Sequence, residues 1–98
     1  MQKTIVFEYN GKKHVSKPFS FKHACIIDDQ MYKDQTPKED ISNTTINLWA
    51  FPVIQKMFEG TELTDEIIEY EINSKELRNA CRKVFDWYLG IDEEVKNS

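Results

Sequence analysis

The sequence predicts an α+β fold, mostly α, with an N-terminal β-hairpin packed on a bundle of about four helices. Asn10-Gly11 stands between two β-branched and aromatic runs. That is the strongest short-range hairpin signal, because both central residues of a type I′ turn take positive φ. Downstream, Leu77, Ala80, Cys81, Val84, Phe85 and Tyr88 recur at three-and-four spacing, the mark of one buried helical face. A second stripe, Ile46, Trp49, Ala50, Val53, Met57 and Phe58, precedes it. A chain of 98 residues is expected to form a single domain. It divides into a hairpin (1–19), a helical body (20–90) and a frayed acidic tail (91–98).

Alternation in the first strand sets Ile5, Phe7 and Tyr9 on one face and Thr4, Val6 and Glu8 on the other. Pro18 has no ladder donor, so the second strand ends there or runs along an edge. Ser20 is positioned to cap a first helix reaching about Lys33. Its expected buried face is Phe21, Ala24, Cys25, Ile27 and Met31, with Lys22, Asp28 and Asp29 outward. Residues 34–43 are polar and contain Pro37, which reads as a mobile connection.

Asn43 or Thr44 opens the second helix. Pro52 interrupts it, at a cost of about 3 kcal/mol for a mid-helix proline. Either the chain kinks there or it restarts with Pro52 in a new first turn, and the unbroken stripe favours a kinked pair on one core. Glu59-Gly60 closes it. Thr64 caps a short segment in which Ile67 and Tyr70 point to helix, while Ile68, Tyr70 and Ile72 alternate as in a strand. Acidic residues after the cap favour helix, since carboxylates stabilise a first turn. Asn73-Ser74 then breaks that segment and Ser74 caps the last helix, which Gly90 ends.

Charge is uneven. The net charge is −4, and residues 50–98 hold six basic against eleven acidic residues. Residues 59–71 carry Glu59, Glu62, Asp65, Glu66, Glu69 and Glu71 with no base. Such a balance argues against nucleic acid, whose phosphates need a basic footprint. The run reads either as a solvated helix face or as a docking surface for a basic partner. No apolar run approaches the roughly 20 residues of a membrane span, and the N-terminus is not a secretory signal. Cys25 and Cys81, alone on separate helices, are expected to be buried free thiols, which fits a reducing cytosol.

Catalytic and metal constellations are not visible. His14 and His23 lack partners at ligand spacing, and His23 and Cys25 are two apart on a helix and do not face each other. Asp28 and Asp29 diverge by roughly 100° on a helix, poor geometry for a shared proton. Gly11, Gly60 and Gly90 are each explained by a turn or a helix end. A non-catalytic protein without metal or cofactor is therefore expected, and attention turns to binding. Trp49, Phe58, Phe85 and Tyr88 sit on the stripes and read as core. Phe51 and Trp87 fall off them and are either satellite core under the hairpin or part of an exposed partner-binding patch.

Taken together, three features resemble the small tail assembly chaperones of long-tailed bacteriophages and prophages of Gram-positive hosts. They are Phe19-Ser20-Phe21-Lys22 after a hairpin, the Trp49, Ile54, Met57, Phe58, Gly60 pattern, and a closing aromatic helix. The resemblance spans nearly the full length; Pro52 and the connection at 34–43 have no match in it. It implies a cytoplasmic, α-rich protein that coats the tape-measure protein during assembly and recruits tail-tube subunits, and it admits a homo-oligomer. The expected partner-binding residues are Phe51, Trp87, Glu62, Asp65, Glu66 and Glu69. Proteins of this family are commonly made in two lengths by ribosomal frameshifting. Val95-Lys96-Asn97 can be encoded by codons containing the slippery heptamer A-AAA-AAY. The competing reading is a small acidic regulator or inhibitor of a basic protein.

Overall fold

A computed structural model describes residues 3–35, 37 and 41–90. The expected tail at 91–98 lies outside the described residues, and so does the middle of the connection at 34–43, where mobility was expected. Strands β1 (Val6–Tyr9) and β2 (Lys12–Val15) form an antiparallel hairpin, followed by helices α1 (Phe21–Asp34), α2 (Asn43–Met57), α3 (Asp65–Tyr70) and α4 (Ser74–Tyr88). The α+β, mostly α architecture is as the sequence predicts. Asn10 and Gly11 take φ of 53° and 73°, and the two-residue loop sets Tyr9 opposite Lys12 and Val6 opposite Val15. Ile5 and Phe7 are consequently buried, while Val6 and Glu8 face outward. The second strand stops short of Pro18.

The core is built on α2 and α4. Every residue of the expected α2 stripe is buried, and Ile54 joins it. Ile5 and Phe7 of the hairpin, Ile27 of α1, and Leu63, Ile68 and Ile72 around α3 complete one cluster. Phe7 stacks on Phe58, with ring centroids 5.2 Å apart and planes at 19°. This contact seats the hairpin on the end of α2. Lys17 N–H donates to the Met57 carbonyl at 2.9 Å and fixes the exit from β2 to the same helix end.

Four local expectations are corrected. First, α2 runs unbroken from Asn43 to Met57 with Pro52 inside it, so the chain forms one helix rather than a pair and does not restart at Pro52. Burial of Ala50, Val53, Ile54 and Met57 on both sides outweighs the proline's local cost of about 3 kcal/mol. Second, the buried face of α1 is turned relative to expectation. Its fully covered residues are His23 and Ile27, whereas Phe21 is 83% exposed and Cys25 is exposed. Phe19, just before the helix, takes the aromatic slot instead and lies 5.8 Å from both His23 and Trp87. That leaves Phe21 on the far side.

Third, α3 is a helix, as its cap suggests, but Ile68 rather than Tyr70 faces the core; Tyr70 is 77% exposed. Fourth, Asn73 rather than Ser74 caps α4, its Oδ1 accepting from Lys75 and Glu76 N–H. Ser42 caps α2 by accepting from Thr45 N–H at 3.2 Å, and Thr64 caps α3 through Ile67 N–H. At α1, Ser20 occupies the cap position while its own N–H donates to His23 Nδ1 at 2.9 Å.

Candidate functional site

The six residues singled out for partner binding fall on three elements. Phe51 lies on α2, half-buried and packed against the edge of the core cluster. There it shares a face, at three-and-four spacing, with Leu48, Pro52 and Gln55. Leu48 is 64% exposed, and the other three are half-buried. Helix α2 is thus apolar on its core side, and that apolar surface continues through half-buried Phe51 and Pro52 to exposed Leu48. Leu48 was missed in the sequence because a single leucine off the main stripe gives no periodic signal.

Trp87 lies on α4 and is also half-buried, packed against the core beside Phe19. Its ring pairs with Phe19 rather than with Phe51. Tyr88, the next residue, donates from its hydroxyl to Asp28 Oδ1 of α1. That bond to a carboxylate, with some burial, pushes the Tyr88 phenol up to about 12.

The four acidic candidates form a ridge across the loop before α3 and α3 itself. All four are exposed. Glu62 sits 3.4 Å from Lys12 Nζ of the hairpin, and the Glu69 carboxylate near the Tyr70 hydroxyl holds that phenol above its ordinary range. Asp65 occupies the first turn of α3, close enough to Lys56 to favour the ammonium form. Glu66 is in the same turn and has no ion-pair partner among the described residues. The flanking acids are both engaged: Glu59 pairs with Lys56 at 2.9 Å, and Glu71 accepts from the Tyr9 hydroxyl at 2.6 Å. Exposed pairs of this kind contribute about 0–1 kcal/mol each, so the ridge is better read as a negative field than as a brace.

The two thiols differ. Cys81 is buried against the Asn47 carbonyl, and burial raises its thiol to about 11, which makes it inert. Cys25, expected to be buried, is exposed on α1. Among the described residues, no three or more His, Cys, Asp or Glu side chains gather where they could hold a metal ion. No described helix is long and apolar enough to cross a membrane.

Besides the Cys81 thiol, His23 is a titratable side chain buried against the core. Burial lowers its pKa, and the ammonium groups of Lys17 and Lys56 lower it further. The unfolded chain therefore binds the proton more readily. Stability is full above the unfolded value near 6.5 and is lost as pH falls from there toward the lower folded value. Denaturation midpoints should drop between about pH 7.5 and about pH 5.5. His23→Gln, which can still accept from Ser20 N–H, should show a clearly smaller drop.

Comparison of the chain with protein-family models, with curated proteins and with solved structures returned no match.

Proposed function

We propose that this protein is a non-catalytic assembly chaperone of the kind its sequence resembles, a tail assembly chaperone that covers a tape-measure protein and helps recruit tail-tube subunits in a bacterial cytoplasm. The observation that carries the reading is the exposed Leu48 of α2 with half-buried Phe51 and Pro52 beside it at helical spacing, an apolar strip that reaches solvent at the margin of the core. A tape-measure protein is a long helical chain with apolar stripes, and an apolar helix face is the surface onto which such a stripe can lie. The net charge of −4 and the ridge at Glu62, Asp65, Glu66 and Glu69 would keep a complex of this kind in solution.

The test is co-expression with the tape-measure protein encoded nearby. Replacing Phe51 and Trp87 together with Ala should leave that partner insoluble while the helical circular dichroism of this chain is retained. Both side chains are only half-buried, so the pair of truncations should cost a few kcal/mol at most, at about 25 cal/mol per Å2 of apolar surface. Loss of the helical signal would place the two rings in the core and sink their role as contacts. The DNA gives an independent check: a slippery A-AAA-AAY at Val95 to Asn97, an overlapping frame, and a very long downstream gene.

The second reading, an acidic regulator of a basic protein, draws on the exposed ridge of α3. It predicts binding that falls steeply with salt and survives the Phe51 and Trp87 truncations. The chaperone reading predicts the reverse on both counts.

A further inference from the structure

Among the described residues, the hairpin has one edge in use and one edge without a paired strand. Antiparallel pairs alternate between bonded and non-bonded. Ser16 N–H donates to the Ile5 carbonyl at 2.9 Å, so Ile5, Phe7 and Tyr9 are the residues of β1 that exchange bonds with β2. The N–H and C=O groups of Val6 and Glu8 therefore point away from β2. The outer edge of β2 is treated differently. Lys17 N–H on that side is tied to Met57, and Lys12 and Lys13 on the strand with Lys17 just after it form a pattern that discourages further pairing.

No described strand pairs with the outer edge of β1. A cleft of about 150 Å3 runs beside it, walled by residues 5–7 on one side and by Glu76, Asn79, Ala80 and Lys83 of α4 on the other. Val6, at its lip, is 48% exposed. A strand edge next to a helix-walled cleft is the arrangement that accepts an added strand: backbone groups bind the edge and alternate side chains enter the cleft.

We propose that the outer edge of β1 takes up an extended segment of a partner protein as a third strand, and that this segment carries an aliphatic residue and a lysine or arginine two positions apart. Charge complementarity sets that chemistry. Glu8 is exposed and makes no ion pair among the described residues. On its paired side, β1 already meets this pattern, with Val15 opposite Val6 and Lys13 opposite Glu8. The bare side presents the same Val6 and Glu8 row, and a net charge of −4 draws basic segments. A second copy of β1 fits less well, since antiparallel pairing about Phe7 sets Glu8 against Val6 in both halves. The site is separate from the α2 and α3 surfaces of the proposed chaperone function and does not depend on that reading.

The probe is a short end-blocked synthetic peptide of threonines with valine and lysine two positions apart, titrated into the 15N-labelled protein. The Val6 and Glu8 amide signals should shift and their hydrogen exchange should slow, with smaller shifts at Asn79 and Ala80. The same peptide N-methylated on alternate amides should bind at least about tenfold more weakly, a loss of about 1.4 kcal/mol. Val6→Pro removes an edge donor but no bond to β2, so it should abolish binding while Phe7 and Tyr9 stay protected. Glu8→Lys should reverse the preference toward a peptide with glutamate in place of lysine. Absence of shifts at Val6 and Glu8, or equal binding of the N-methylated peptide, would overturn the proposal. So would a dimer in sedimentation whose Val6 and Glu8 amides are already protected without peptide, because the edge would then belong to a second copy.

Discussion

Trp49→Ala should lower the stability of this protein by about 3–5 kcal/mol, the range for removing a buried Trp or Phe ring. A domain of this size holds roughly 5–15 kcal/mol in total, so the substitution should remove a large fraction of it. The reason lies in how many elements the side chain joins. Trp49 is 1% exposed, at the centre of α2, with its ring 6.2 Å from that of Phe85 on α4. Its Nε1–H donates to Asp34 Oδ2 at the end of α1, at 2.7 Å. One residue thus fastens three helices. Trp49→Phe separates the contributions: it keeps an aromatic ring against Phe85 but loses the bond to a charged acceptor, worth about 1.5–3 kcal/mol. Urea denaturation followed by circular dichroism should rank wild type above Trp49→Phe and Trp49→Phe above Trp49→Ala. Equal midpoints for the wild type and Trp49→Ala would refute the central position given to this ring.

Phe7→Ala is the second large effect and acts through a different route. A two-stranded hairpin alone is marginal in water and must lean on something. Here it leans on Phe58 through a buried stack, with Ile5 beside it in the core. Removing the Phe7 ring should cost about 3–5 kcal/mol and should release the hairpin before the helices. Hydrogen exchange reads this directly. The amides of Phe7 and Tyr9 should lose protection first, along with that of Lys17, whose bond to Met57 depends on the hairpin being seated. If those amides kept wild-type protection while the global midpoint fell, the hairpin would not be held by this stack.

Local rules were enough for most of the framework. The Asn10-Gly11 turn, the two faces of β1 and the α2 stripe follow from period and turn chemistry, and the structure has them as those rules require. The errors share a cause. Phe21 and Cys25 were assigned to the core on hydrophobicity, and His23 was not, yet the order is reversed because Phe19 and Trp87 meet from opposite ends of the chain. Their contact, 68 positions apart in sequence, cannot be read from spacing on one helix. At Pro52 the stripe on both sides already points to one core, and the four buried neighbours on α2 carry the helix through it. The same limit applies to the candidate surface. The acidic run was legible as composition, and Phe51 as an off-stripe aromatic. Leu48 beside Phe51 and the bare edge of β1 become apparent only once the elements are placed.

The fastening of α1 to α2 also bears on how freely the chain between them can change. Trp49 holds the last residue of α1 directly, and Ser42, the residue just before α2, caps that helix, so both helix ends are fixed by residues lying at them. Lengthening a loop between two fixed ends adds little, only about 0.6 kcal/mol for each doubling. Insertions, an epitope or a reporter can therefore accumulate between the two helices without disturbing either. The junction is the natural point at which such a protein can be lengthened, labelled or cut into two fragments that still recognise each other.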